Sequence, residues 1–185
     1  MFRTLAVIAA VAALPAFAGE LEGVKMPDTV TVDGKTLKLN GMGLRVKHII
    51  FAFKVYVAGM YLENPSKDPS AILASDETRR IDMFMLRDLD QKTIVEAIKT
   101  GFEKNNADKM PALKDRLDKF MAVIPTLKEK QTLSLVYIPG KGTSVVGQGQ
   151  SFTAEGKDFA DALWSVYLGK SPVDEDLKKG MLGAK

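Results

Sequence analysis

Two side chains that could together hold an anion, Arg45 and Tyr56, lie in an otherwise apolar stretch. Residues 39–63 read LNGMGLRVKHIIFAFKVYVAGMYLE, and this density of β-branched, aromatic and aliphatic residues is typical of buried strands. A guanidinium presents a planar fork of donors to a carboxylate, and a phenol adds one more. The alternative is structural: Arg45 paired with an acid at a sheet edge, and Tyr56 in the core with its hydroxyl hydrogen-bonded.

The spacing of these two residues sets the geometry that a site would need. If the stretch is a hairpin with its turn centred at Ile50 and Phe51, Arg45 and Tyr56 are cross-strand neighbours. Because Ile50-Phe51 is poor turn chemistry, the register could also slip by one residue and place the pair on different faces.

Three other polar residues lie in the same hairpin. Lys54 has the same strand parity as Tyr56, so we expect it to add positive charge to the site. His48 is the only histidine; it could ligate an iron or act as a base, or it could be an exposed or hydrogen-bonded strand residue. Its role stays open, as does that of Lys47.

The elements around the hairpin alternate in blocks of strands and helices. Thr29–Leu39 reads TVTVDGKTLKL, two alternating runs around Asp33-Gly34, which predicts a hairpin. Residues 40–43 are expected to form a turn or kink. Further strands are predicted at 44–63 (two strands), 79–87, 131–138, 143–147 and 150–154, and helices at 70–76, 90–104, 111–123, 158–168 and 174–181. This order predicts an α+β fold with a mainly antiparallel sheet.

Composition and missing motifs narrow the possible functions. The chain of 185 residues has no cysteine, no Walker loop, no Gly-x-Gly-x-x-Gly before a helix and no His-Glu-x-x-His. The acidic residues 174–176 are interpreted as the start of a helix rather than a metal site. Basic and acidic residues are interspersed, so we predict no nucleic acid partner. Because the motifs above are missing, we predict no metal and no cofactor.

The first 18 residues are predicted to be a signal peptide, with the mature chain, residues 19–185, forming one domain. A basic start, an apolar run from Leu5 to Leu14, Pro15 and the small residues of Ala16-Phe17-Ala18 fit a secretory leader cleaved before Gly19. No later segment approaches the length of a membrane span. The mature protein is expected to be soluble, periplasmic and monomeric, although the sequence does not establish the oligomeric state.

Two motifs resemble the chalcone isomerase fold. One is Gly41-Met42-Gly43-Leu44-Arg45 with Gly59-Met60-Tyr61-Leu62-Glu63, and the other joins residues 159–164 (FADALW) to residues 167–173 (YLGKSPV). With the leader, the chain is most similar to bacterial chalcone isomerase-like proteins. The resemblance implies an open-faced sandwich, in which helices cover one face of an antiparallel sheet.

The resemblance also suggests what the site does. Arg45 matches the arginine that positions the substrate's phenolate in plant chalcone isomerases, while Tyr56 stands in place of their threonine. Gln91, Ile94 and Ile98 stand in place of their tyrosine, lysine and asparagine, so the polar helix face of the enzymes is missing. Arg45 and Tyr56 are closer to the arginine–tyrosine pair with which the plant fatty-acid-binding members hold a carboxylate.

Three functions therefore compete. The first, which we favour, is a non-catalytic carrier of a fatty acid or similar apolar carboxylate, bound by Arg45, Tyr56 and Lys54 and by the apolar helix residues Ile94 and Ile98. The second is an isomerase or lyase acting on a compound with an anionic oxygen, with Arg45 as electrostatic stabiliser and Tyr56 as acid. The third is an interaction protein without a small ligand.

Overall fold

The computed structural model describes residues 17–48, 50–147 and 152–184. Most of the predicted signal peptide, residues 1–16, and the first two residues of the strand predicted at 150–154 lie outside these ranges. The predicted cleavage after Ala18 falls inside the first strand, whose pairing continues from Gly19 through Leu21.

The described residues form nine strands and five helices. The strands are β1 (Phe17–Leu21), β2 (Val24–Pro27), β3 (Thr29–Val32), β4 (Lys35–His48), β5 (Ala52–Leu62), β6 (Arg79–Met85), β7 (Thr132–Ile138), β8 (Gly142–Val146) and β9 (Thr153–Ala154). The helices are α1 (Pro69–Ala74), α2 (Gln91–Asn106), α3 (Met110–Ala122), α4 (Lys157–Leu168) and α5 (Glu175–Met181).

Strands β3 to β9 form one antiparallel sheet in which neighbours in sequence are neighbours in space. The largest hydrophobic cluster lies between this sheet and the helices, with Met83 and Leu135 of the sheet packed with Phe159 and Leu163 of α4. The α+β class and the layer of helices on one face are therefore confirmed. None of the described helices has both the length and the apolar character that a membrane span requires.

The other face of the sheet is partly covered by β1 and β2, which the sequence analysis did not predict. Val24 and Met26 of β2 are buried against Val57 of β5. Gly59 makes room for this layer, since a Cβ there would overlap the sulfur of Met26.

The predicted hairpin at Asp33-Gly34 is confirmed. Both residues have positive φ, 50° and 77°, as the two central residues of a type I′ turn require. This turn joins β3 to β4 and starts the long strand that carries Arg45.

No turn forms at residues 40–43, because β4 runs through this segment; the kink that was predicted as the alternative is present as a bulge between Leu39 and Gly41. The glycines at positions 41 and 43 allow helix α5 to lie directly against β4. A Cβ on Gly43 would overlap the carbonyl of Leu177 in α5, and a Cβ on Gly41 would overlap that of Gly180. Backbone therefore lies directly on backbone where α5 crosses β4.

The bulged residue secures the far end of the same contact. Asn40 donates from Nδ2 to the carbonyl oxygens of Met181 (2.9 Å) and Ser66 (3.0 Å), and its Oδ1 accepts from the backbone N–H of Ser66 at 2.8 Å. These bonds fix the carboxyl end of α5 against β4 and the loop after β5.

We expect Gly43→Ala to lower the free energy of unfolding by about 1–3 kcal/mol, because the methyl group would push α5 away from β4. Urea unfolding measures this loss. Gly147→Ala is the control: this glycine is exposed, and an added Cβ would meet only the end of the Leu133 side chain, at 3.0 Å. Equal losses in the two variants would contradict the close-approach role of Gly43.

Candidate functional site

A cavity of about 630 Å³ lies between the sheet and helices α2 and α4. Its lining combines aliphatic and thioether side chains with ten polar or charged residues, among them the acids Asp88, Asp90 and Glu96. The apolar residues lining it include Val55, Met83, Met85, Ile94, Ile98, Leu127, Leu133 and Val166. Its size falls within the range of small-molecule sites, about 300–1,000 Å³.

Arg45 and Tyr56 both line this cavity and are cross-strand partners in the β4–β5 ladder. The predicted register is therefore confirmed, although the hairpin does not continue in step to its tip. Beyond this pair Val46 is opposite Lys54, which leaves Val55 as an extra residue on β5. This bulge lets Val55 line the cavity together with Tyr56.

The bulge also corrects the prediction for Lys54. One extra residue reverses the strand parity, so Lys54 does not share the face of Tyr56 and does not line the cavity. Its Nζ instead donates to Glu22 Oε2 at 2.6 Å, in the turn between β1 and β2, and the side chain is mostly exposed. The structure thus assigns Lys54 a surface ion pair on the opposite side of the sheet.

Arg45 is partly buried and already has an acidic partner. Its Nη1 donates to Asp174 Oδ2 at 2.9 Å and to the carbonyl oxygen of Val46 at 2.7 Å. No hydrogen bond joins Nε or Nη2 to any residue in the described ranges. The guanidinium therefore retains donors for a ligand while its charge is compensated.

Asp174 is the N-cap of α5, and its second carboxylate oxygen accepts from the backbone N–H groups of Asp176 (2.9 Å) and Leu177 (3.0 Å). Burial raises the pKa of Asp174, but the N–H groups of Leu177 and Val46 and the Arg45 guanidinium lower it by more, so the net pKa lies below its ordinary value. The helix-start interpretation of this residue is confirmed, and its ion pair with Arg45 is the acid pairing that the structural alternative for Arg45 predicted.

A second tyrosine, Tyr167 of α4, lines the cavity near Tyr56 and Arg45. Burial raises the pKa of both phenols, with the Arg45 charge opposing the rise. Both hydroxyls are thus neutral donors at physiological pH. The sequence analysis placed Tyr167 only in the apolar stripe of a helix, and nothing in that spacing shows which stripe residue reaches a cavity.

Helix α2 supplies the wall that faces the sheet. It begins at the N-cap Asp90, whose carboxylate accepts from Thr93 N at 2.8 Å, and its inward residues Ile94 and Ile98 are buried and line the cavity as predicted. Gln91 is exposed and does not line it. Of the polar residues of α2 that line the cavity, Glu96, Thr100 and Lys104 are exposed, and the half-buried Thr93 donates its hydroxyl to Asp90 Oδ2 at 2.8 Å.

The exposed end of the cavity carries positive charge and an aromatic ring. Lys47 and Phe53, which pair across β4 and β5, both line it, and the Arg87 guanidinium lies over the Phe53 ring at 5.0 Å. His48 is exposed and does not line this cavity with Tyr56; it lines a second pocket, together with Arg45 and Asp174.

Comparison with known proteins identifies the family. The model of the chalcone isomerase-like family matches residues 18–183, and the chain belongs to that family. Among solved structures, the chain is similar to a fatty-acid binding protein of Arabidopsis thaliana, with a TM-score of 0.64 and 17% identity over 86% of this chain and 92% of that one. At that identity the likeness establishes the fold. No curated protein sequence matches the chain.

We expect Asp174→Ala to lower the free energy of unfolding by about 2 kcal/mol at neutral pH, because α5 loses its cap and Arg45 its partner. The pKa of Asp174 is lowered by folding, so its contribution is present above the unfolded pKa and is lost as pH falls through the folded one. The difference between parent and variant should therefore shrink below about pH 4.

Asp176→Ala is the matched control, since Asp176 lies in the same helical turn but is exposed. Chemical unfolding of all three proteins at several pH values gives the comparison. A difference between the parent and Asp174→Ala that stays constant down to the lowest pH would contradict the role of the ionised carboxylate.

Proposed function

We propose that the protein binds a fatty acid or similar apolar carboxylate without transforming it. The observation that carries this proposal is the placement of Arg45 and Tyr56, side by side on the wall of a 630 Å³ cavity whose other walls are largely apolar. In this arrangement the carboxylate contacts the guanidinium and the phenol while the chain lies against Ile94 and Ile98.

The chemistry of the polar group suits a carboxylate. Arg45 presents N–H donors that no described residue uses, and Tyr56 and Tyr167 add hydroxyls that their raised pKa values keep protonated. A charge-assisted hydrogen bond from a partly buried guanidinium is stronger than one between neutral groups. The ion pair with Asp174 keeps Arg45 oriented before a ligand arrives.

The same features argue against an isomerase of the chalcone type, the alternative interpretation of this site. A phenol whose pKa is raised by burial is poorly matched to proton transfer near neutral pH. The buried part of the α2 wall offers Ile94 and Ile98 rather than groups that could polarise a substrate.

We also propose that the protein is exported through its N-terminal signal peptide and acts in the periplasm as a carrier. The leader-like pattern of residues 1–18 supports export. The similarity to a protein described as a fatty-acid binding protein supports the class of ligand.

We expect Arg45→Gln to weaken the binding of decanoate about 10- to 100-fold, because it removes the charge-assisted bonds, and Tyr56→Phe to weaken it about fivefold. Isothermal titration calorimetry measures both effects. The opposite face of the sheet offers matched controls. Arg80 is also paired with an acid, Asp82, at 2.6 Å, and the hydroxyl of Tyr61 donates to the Pro27 carbonyl at 3.2 Å.

Arg80→Gln and Tyr61→Phe should leave decanoate affinity unchanged. Absence of decanoate binding to the parent protein, or equal losses in site and control variants, would overturn the proposed carboxylate site. Cyclisation of a chalcone by the parent protein would overturn the non-catalytic assignment.

The apolar wall predicts a dependence on chain length. Ala97 lines the cavity on α2 and is only partly buried, so Ala97→Phe adds volume inside the cavity without enlarging a core residue. We expect this variant to lose at least tenfold in affinity for hexadecanoate and to retain decanoate within about threefold. An equal loss for both acids would place the alkyl chain elsewhere.

A further inference from the structure

The tip of the β4–β5 hairpin exposes two adjacent large apolar side chains. Ile50 is 85% exposed and Phe51 is 71% exposed, the two highest values among the large hydrophobic residues described. Single apolar residues scattered over a surface are ordinary. Two adjacent large apolar side chains at the tip of a hairpin can instead insert into the apolar part of a lipid layer.

Positive charge lies around this tip. Lys47 and Arg87 are exposed, and neither forms an ion pair within 4.0 Å with any residue in the described ranges. The nearby Lys54 is neutralised by Glu22. Lys47 and Arg87 thus flank the apolar tip as unpaired cations that could contact lipid phosphates, while the exposed acids Glu175 and Asp176 lie on the α5 side of Lys47.

The tip is continuous with the exposed end of the cavity. Phe53 lines the cavity and is only two residues from Phe51, a distance of about 7 Å along a strand. Lys47, its cross-strand partner, and Arg87, which lies over its ring, line the same end. A surface that covered the tip would therefore cover the cavity entrance.

We propose that the hairpin tip, Ile50 and Phe51 with Lys47 and Arg87, docks on the surface of a bilayer that contains anionic phospholipid. The two apolar side chains enter the boundary between headgroups and acyl chains, and the two cations contact lipid phosphates. Docking brings the cavity entrance to the membrane, from which an apolar carboxylate enters along Phe53. The entry step rests on the proposed carrier function, whereas the docking step does not.

The size of the patch favours a membrane over a second copy of the chain. Two side chains provide at most about 400 Å² of apolar surface, well below the roughly 1,200 Å² of a stable protein interface. Insertion into a lipid surface needs no complementary partner, and its strength scales with the apolar area and charge supplied.

Flotation with vesicles tests the docking step. The probes are vesicles of phosphatidylcholine alone and vesicles with about one third phosphatidylglycerol, and intact mass confirms the same N-terminus for every variant. The parent should float with the anionic vesicles and be released by high salt. Ile50→Ser/Phe51→Ser and Lys47→Gln/Arg87→Gln should each lower the partition coefficient about tenfold or more.

Lys35→Gln/Lys141→Gln is the charge-matched control, because Lys35 begins β4 and Lys141 lies in the β7–β8 connection, both at the other end of the sheet. It should float like the parent. Decanoate affinity of Ile50→Ser/Phe51→Ser in vesicle-free solution should be unchanged, which shows that the variant is folded and separates docking from ligand binding.

Docking is overturned if the parent does not float, if the tip variants float as the parent does, or if they abolish a concentration-dependent dimer instead. If the parent floats through its tip but binds no decanoate, docking stands and the carrier function fails. If decanoate binds but no variant changes flotation, the carrier function stands and docking fails.

Discussion

The direct contact between the backbones of β4 and α5 is the constraint on which the site depends. Glycine at positions 41, 43 and 180 removes the side chains that would separate the strand from the helix. Because α5 lies this close, its N-cap Asp174 reaches both the backbone of Val46 and the guanidinium of Arg45. The glycines that precede Arg45 in the sequence thus set the position of its acidic partner without contacting the cavity themselves.

This arrangement resolves the competing demands on Arg45. An unpaired charge at a partly buried position is costly, and a fully paired one has little left for a ligand. Asp174 compensates the charge through a single terminal nitrogen of Arg45. Arg79 differs in that it is fully buried and both of its terminal nitrogens are bonded, to Asp161 and to the Ile72 carbonyl, while its guanidinium lies between the Tyr137 and Trp164 rings. Of these two arginines, Arg79 is a structural element of the core and Arg45 is suited to binding.

Strong local patterns predicted much of this architecture, and long-range packing explains what they missed. The buried face of α2 follows from its helical period. Arg45 pairs with Tyr56 as predicted, but the bulge at Val55 produces this pairing: His48 pairs with Ala52 and Val46 with Lys54, so an unbulged hairpin would place Val55 opposite Arg45. No local sequence pattern predicts the bulge at Val55. The prediction that Lys54 shares the face of Tyr56 assumed a regular strand and was therefore wrong. Glycine at positions 41 and 43 is compatible with a turn and also with the close approach of another backbone. The second holds because α5, which is distant in sequence, packs there. The strand pair β1–β2 was not predicted, because the start of β1 overlaps the leader-like segment of residues 1–18.

The β4–β5 hairpin combines two properties that ordinarily conflict. Near its base it is buried on both faces and carries the polar pair, while its tip exposes the apolar side chains that folding would normally hide. The bulge at Val55 separates the buried base of the hairpin from its exposed tip, because it ends the regular ladder just beyond the Arg45–Tyr56 pair. Val55 and Phe53 both line the cavity as a result, and together with Tyr56 they line one wall of it. Phe53 is two residues from the exposed Phe51. Exposing Ile50 and Phe51 contributes nothing to packing of the core, so the composition of the tip is not explained by folding. By contrast, the Arg45–Tyr56 pair at the base of the same hairpin is fixed by its contacts with α5 and the β4–β5 ladder.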